Sequence, residues 1–401
     1  MSRIRILSVL ILMLINGCVY ATSEMTDDSL NNIRLSPDYV KVSLVVVSPG
    51  KYIYSGGGHT ALRLTCPSEG MDYYFSFEMA MTPMEKLRFL SGTARAGFIY
   101  TDYQVAADLY WKEGREIRSV DLNLTPLQKQ ELWRYLDDQY EKGPNRYFDY
   151  IKNNCNEMIL TAVEVALGSE TIEWKYKSPD LSHTYRTLIA GQFTHSPWNA
   201  LLLNLLTGEI GDKISLGTNW LWPNLLIDEA RLAVIKDSIG ERPLVLGDEM
   251  ILLKQTRDNK PFPITPKMVF LLLLVLAVVI TIYQTFRKNH AIGYVIDIPL
   301  AALHLVLGLI YTYTTLTNLS IGFNWIILLF NPIPFCLWLL LRSKRVMKKI
   351  YVFFTILIFV YLAFTPCLPQ LQTTPIAILI LAFAVRTAYH AFIENNRFYL
   401  K

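Results

Sequence analysis

Apolar positions change period along this chain, and each change marks an element. Residues 40–48 (VKVSLVVVS) form a β-branched block that predicts a buried strand ended by Pro49-Gly50. Residues 59–66 (HTALRLTC) alternate and predict a second strand. Residues 71–79 (MDYYFSFEM) predict a third, joined to it through a Pro-Ser-Glu-Gly turn. Residues 114–124 (GREIRSVDLNL) predict a further strand. The period then becomes helical: Thr125 as N-cap, Pro126 in the first turn and Gln128 at the capping-box position start a helix that runs to about Lys142 and stops at Gly143-Pro144. A second helix begins at Cys155 and continues through NEMILTAVEVAL to Gly168. The expectation is an α+β domain with a small sheet. Residues 170–266 read as polar and irregular, with tryptophans at 174, 198, 220 and 222, a region suited to docking that domain onto a membrane.

At both ends the pattern turns apolar. Residues 1–21 carry Arg3 and Arg5 before a short hydrophobic run with a small-residue exit, the layout of a secretory signal cleaved after Ala21. Residues 15–18 (INGC) offer an alternative, a lipobox that would leave Cys18 lipidated. From residue 267 five runs, 267–286, 292–316, 323–341, 348–366 and 374–393, each suffice to cross a bilayer at about twenty residues per span. The loops after the first and third runs hold Arg287 and Lys288, then Arg342, Lys344, Arg345, Lys348 and Lys349, whereas TLTNLSIG and PCLPQLQTT hold no Lys or Arg. This asymmetry keeps 22–266 outside the cytoplasm, in agreement with the signal. The expected organisation is a signal peptide at 1–21, an exported domain at 22–170, a docking region at 171–266 and a membrane domain at 267–401.

Hydrophobic residues make up 52% of the chain and charged residues 18%. Much of the basic excess behind the +4 net charge lies in the cytoplasmic loops, so the charge gives no reason to expect a nucleic-acid partner. Five cysteines provide no CxxC pair and no zinc spacing. In an exported domain Cys66 and Cys155 could instead form a disulfide, which would exclude a reactive thiol.

Cys155 stands at a helix start, where the partial positive charge lowers a thiol pKa and the first-turn N–H groups can receive an oxyanion. The bland alternative is a small hydrophobe on a buried helix face. Asn153 and Asn154 before it are capping residues, and Asn154 is a candidate extra donor for the oxyanion. His59 follows Gly56-Gly57-Gly58 at the head of a strand. A lone histidine there is more often structural, but facing Cys155 it would complete a Cys–His pair of papain type, with the histidine first in the chain. Asp72, Tyr74, Ser76 and Glu78 share one strand face, and Ser76 or Glu78 is the candidate that orients the imidazole. Arg63 lies on the His59 face of its strand, a candidate for a phosphate or headgroup and equally for a surface ion pair. His183 and His195 read as surface or packing residues. Asp297, His304, Asn324 and Asn331 fall near membrane depth, where polar groups are costly and often functional; Asn331, followed by Pro332, reads as structural.

The segments SPGKYIYSGGGHTALRL, DYYFSFEM and YFDYIKNNCNEM, with GDKISLGTNWLWPNLL and TNLSIGFNWIILLFNPIP further on, resemble the Lnb family of bacterial lipoprotein N-acyltransferases over most of the chain after the signal. The resemblance implies a periplasmic α+β domain of permuted papain-like (NlpC/P60-like) type and an all-α domain of about five transmembrane helices in the bacterial inner membrane. It implies Cys155 as nucleophile and His59 as base, a phospholipid as acyl donor, a lipoprotein as acceptor, and no metal or cofactor. Two departures stand out: no clear third catalytic position in DYYFSFEM, and Leu221-Trp222-Pro223 where the family has phenylalanine before Leu-Pro. The same Cys–His pair would also serve a membrane-anchored hydrolase of peptidoglycan peptides or lipid esters, and a non-enzymatic scaffold would need neither residue.

Overall fold

The computed structural model describes residues 40–149, 151, 153–175, 184–193, 195–213, 222–256, 262–287, 291–340 and 344–394. The leader with Cys18, His183 and most of the GDKISLGTNWL segment lie outside these.

Strands β1 (Lys41–Val47), β2 (His59–Cys66) and β3 (Met71–Met79) form an antiparallel meander, with β2 and β3 at the residues the alternation predicts. The eight-residue helix α1 (Pro83–Leu90) leads into β4 (Arg95–Asp102), α2 (Tyr103–Glu113) and β5 (Ile117–Leu122). Helix α3 (Pro126–Glu141) starts in a complete capping box of Thr125 and Gln128. A short β6 (Arg146–Tyr147) precedes α4 (Cys155–Leu167). The chain continues through β7 (Thr171–Glu173), α5 (Tyr185–Gln192), α6 (Pro197–Leu206), α7 (Pro223–Ala230), β8 (Val234–Lys236), β9 (Glu241–Pro243) and β10 (Val245–Leu253). The main sheet has the order β10-β5-β1-β2-β3-β4-β6, and β7-β8-β9 form a second. The expected irregularity of 170–266 is therefore corrected: β10 is an edge strand of the main sheet, paired with β5 across more than a hundred residues.

Period-two alternation splits the sheet into two packed faces. Val42, Leu44, Val46, Leu62, Leu64, Phe75 and Phe77 pack under α3 and α4. Val45, Val47, Ala61, Tyr74 and Ile117 pack under Tyr103, Ala106 and Tyr110 of α2.

Beyond residue 262 the structure is helical: α8 (Pro266–Arg287), α9 (Tyr294–Thr317), α10 (Ile333–Leu340), α11 (Lys344–Ala363), α12 (Pro369–Thr373) and α13 (Ile376–Ala388). Among the described residues four helices are long and apolar enough to span a membrane. The third expected span is a 3-10 turn (Trp325–Leu328) followed by the eight-residue α10. Asn331 explains the break: its Oδ1 accepts from Ile333 N, its amide donates to Ile327 O and Leu328 O, and Pro332 provides no N–H. Asp297 and Arg386 form a bidentate ion pair inside the bundle, and His390 bridges Asp297 and Glu394. His304 donates from Nε2 to Leu329 O among the rings of Phe330, Phe354 and Phe383.

The two parts are bolted together by α5 and α6. Leu201 and Leu205 belong to the apolar core of the membrane helices. Asn324 donates to Leu205 O at 2.7 Å, Gln370 donates to Leu205 O at 3.0 Å, and Glu209 N donates to Phe323 O at 3.0 Å. Arg186, buried, ties this junction by donating to Asp212, to Asn204 O and Oδ1, and to the carbonyls of Thr207 and Gly208.

Candidate functional site

Helix α4 can begin at Cys155 because Asn154 caps it, its Oδ1 accepting from Glu157 N at 3.0 Å. Asn154 thus acts as the N-cap of α4 through its side-chain oxygen, while its amide nitrogen lies 3.5 Å from Ile151 O. The helix start abuts the head of β2. Thr60 Oγ1 donates to Asn156 Oδ1 in a short buried bond, and the backbone N–H groups of Thr60 and Asn156 turn toward the Cys155 sulfur.

His59 is the first residue of β2 and lies within hydrogen-bonding reach of the Cys155 thiol. Its side chain is 16% exposed, and its Nε2 lies 3.2 Å from Glu78 Oε1, close enough for a charge pair though off hydrogen-bond alignment. The register explains why Glu78 is the partner. Ala61 opposes Ser76 in the β2–β3 ladder, so two steps further along each strand His59 comes opposite Glu78. Ser76, buried, donates to Glu78 Oε1 at 2.6 Å. Four side chains thus form one series: Ser76, Glu78, His59, Cys155.

The electrostatics follow from this contact order. Burial opposes a charged imidazole, but Tyr110, the Cys155 sulfur and Glu78 outweigh it and hold the His59 pKa well above its usual range. Burial likewise opposes a Cys155 thiolate, yet the His59 charge and the N–H groups of Thr60 and Asn156 bring the thiol below its ordinary value. Burial also opposes the Glu78 carboxylate, and His59 and Ser76 overcome it, so Glu78 is held low. All three directions favour a thiolate–imidazolium pair backed by a carboxylate.

Arg63 is not brought to this site. It lies four residues along β2 from His59, about 13 Å at strand rise. Its guanidinium grips Asp72 through Nε and Nη2, both at 2.6 Å, and stacks on Tyr103. Of the two expectations for Arg63, the ion pair is the one seen in the fold. Cys66 and Cys155 are not joined by a disulfide. Cys66 ends the strand whose first two residues face Cys155, so the two sulfurs sit at opposite ends of β2. His195 packs flat on Phe193.

Packing requires glycine at two of the three positions before His59. A Cβ on Gly58, which sits at φ +93°, would lie 2.8 Å from Val47 O and 3.2 Å from Pro223 Cγ; one on Gly56 would collide with the Phe193 ring.

Residues 28–191 match the family model of the Lnb N-terminal periplasmic domain, and residues 257–397 that of the Lnb transmembrane domain. The chain belongs to the Lnb family. No curated protein and no solved structure matched it.

In this Lnb-family chain the sheet domain is accordingly periplasmic, and the apolar helices make it a membrane protein. Strand β10 falls between the two matched ranges yet completes the periplasmic sheet. Sequence reasoning missed two neighbours of the site. Tyr110, on α2, stands beside His59 and meets Tyr74 Oη at 3.2 Å. Arg115, buried, donates from Nε to Ser48 O at 2.7 Å and adds positive charge near Glu78. Nothing local marks either residue, because α2 and the turn after it, which holds Arg115, meet the sheet only in the folded chain.

Proposed function

We propose that this protein is a lipoprotein N-acyltransferase of the bacterial inner membrane, crossing it several times, with a periplasmic domain of permuted papain-like type. The observation that carries the reading is the juxtaposition of Cys155 and His59, with Glu78 behind the imidazole, in a domain fastened to membrane helices. A helix-start cysteine against a strand-borne histidine is the papain arrangement, and the order here, histidine before cysteine, is the permuted one.

In the first half-reaction the Cys155 thiolate attacks an ester carbonyl carbon of a phospholipid. The oxyanion is received at the start of α4, with the Cys155 N–H as one donor. The carbon–oxygen bond to glycerol breaks, and the His59 imidazolium gives its proton to the departing oxygen. The products are an S-acyl enzyme and a lysophospholipid. In the second, the neutral α-amine of a diacylglyceryl-cysteine lipoprotein attacks the thioester. His59 takes the amine proton, the carbon–sulfur bond breaks, and Cys155 leaves as thiolate. Exchanging a thioester for an amide is downhill, so no nucleotide is consumed. Glu78 keeps the imidazole oriented and stabilises its charge, with Ser76 orienting Glu78.

The test is to express the protein, or its Cys155→Ala variant, in a host depleted of its own lipoprotein N-acyltransferase. The mass of a lipoprotein's N-terminal peptide is then measured. One acyl chain gained on the amine, and absent with the variant, is the expected result. An unmodified amine with the protein folded in the membrane would overturn the transferase and favour hydrolysis.

A further inference from the structure

Helix α1 is half apolar, with Met84, Leu87, Phe89 and Leu90 among its eight residues, yet none of its residues is buried. An amphipathic helix is stable in a folded protein because something covers its apolar stripe. Here Met84 is 57% and Leu87 50% exposed, and Met81 before the N-cap is exposed beside them. A second exposed apolar element joins them. Tyr52 and Tyr54 stack at 5.3 Å, Tyr54 is 46% exposed, and Lys86 of α1 lies over the Tyr54 ring at 5.6 Å.

The position of this patch identifies its partner. At one end, Asn318, directly after α9, donates to Leu90 O at 3.2 Å. At the other, Asn199 of α6 donates to Lys51 O at 3.4 Å, and neighbouring Trp198 bonds Ile264 O and meets the Phe270 ring near the start of α8. The patch is thus tethered to the periplasmic ends of two membrane helices. Tyrosines with lysines, beside methionine and leucine, are the side chains that suit the boundary between headgroups and acyl chains. Lys51 and Lys86 supply cations for lipid phosphate. The patch also flanks the candidate site in sequence: Tyr54 is five residues before His59, and Met81 three after Glu78, at most about 18 Å and 11 Å of chain.

We propose that α1 and the turn at 51–54 form a seat in the periplasmic leaflet that holds a phospholipid next to His59 and Cys155. The role of that lipid as acyl donor rests on the proposed function; the contact itself does not.

The experiment places a photoreactive benzophenone residue at position 84 or 54 of the full-length protein in phosphatidylethanolamine–phosphatidylglycerol nanodiscs. Leu127, exposed on α3, serves as the periplasmic control and Leu272, exposed on α8, as the bilayer control. After illumination, peptide masses report lipid adducts. Adducts at 84, 54 and 272 with none at 127 are expected. Adducts at 272 alone would overturn the proposal. Combining Met84→Asp with Leu87→Asp should lower the adduct at 54 about tenfold while the Cys155 alkylation rate verifies the fold; an unchanged adduct yield would also overturn it. The adducts need no turnover, so failure of the acyl-transfer reaction would leave this result standing.

Discussion

Glu78 Oε1 lies 3.2 Å from His59 Nε2 while accepting the Ser76 hydroxyl at 2.6 Å, so one carboxylate oxygen serves both neighbours. Ser76 reaches the imidazole only through Glu78. If His59 carries the proton in the proposed reaction, Glu78→Gln should slow S-acylation of Cys155 roughly 10- to 100-fold, and Ser76→Ala no more than about fivefold. Acyl-enzyme formation followed by intact mass would measure both. A larger loss from Ser76→Ala than from Glu78→Gln would refute this order.

The charge pair makes a pH prediction. A Cys155 pKa brought below the ordinary thiol value leaves thiolate available at a pH where free cysteine, near 8.5, is protonated. The iodoacetamide reaction should therefore persist below that range and fall only as pH drops through the lowered thiol pKa. Because the His59 pKa is raised, its help is complete at low pH and is lost as pH rises through that raised value. His59→Ala should move the alkylation midpoint upward. A midpoint that stays put in this variant would show that the imidazole does not lower the thiol.

Gly58 and Gly70 both have positive φ, but their surroundings differ. A Cβ on Gly58 meets Val47 O at 2.8 Å, whereas one on Gly70 meets nothing within 4 Å. Gly70→Ala should cost only the backbone penalty of about 1–2 kcal/mol. Gly58→Ala should cost more and displace Pro223 or the head of β2. Thermal unfolding of the two purified variants compares them directly, and equal Tm values would remove the packing argument.

Arg186 satisfies the carbonyls of Asn204, Thr207 and Gly208 together with Asp212, so a lysine, with one point charge, cannot replace its fork. Arg186→Lys should loosen the junction. Hydrogen exchange at the Glu209 amide, which donates to Phe323 O, should accelerate at least tenfold, with amides of β1 unaffected. Equal protection in both proteins would mean that the junction is held by Asn324 and Gln370 instead.

Strands β2 and β3 and the starts of α3 and α4 were legible because their signals are local: alternation, a proline in the first turn, a capping side chain. Strand β4 and helices α1 and α2 were not anticipated. RAGFIYTD alternates poorly, and α1 keeps its apolar residues out of the core, so neither announces a buried face. Strand β10 read as irregular for a different reason. Only its pairing with β5 makes it a strand, and Asp248 and Glu249 interrupt its apolar residues.

Of the candidate site, His59 and Cys155 were legible as chemistry, each at an element start and each with a bland alternative. Arg63 and Asn154 were equally suggestive as polar side chains; in the fold Arg63 pairs with Asp72 and Asn154 caps the first turn of α4. Sequence alone determined the elements whose causes lie within a few residues, the apolar runs, and the two reactive side chains available. Tertiary structure decided what meets what. The β2–β3 register placed Glu78, rather than Asp72 or Tyr74, opposite His59, because in an antiparallel ladder every pairing follows from one turn. The docking of α4 against the head of β2 brought together residues 96 positions apart, a contact that burial of both sheet faces stabilises and no local pattern encodes.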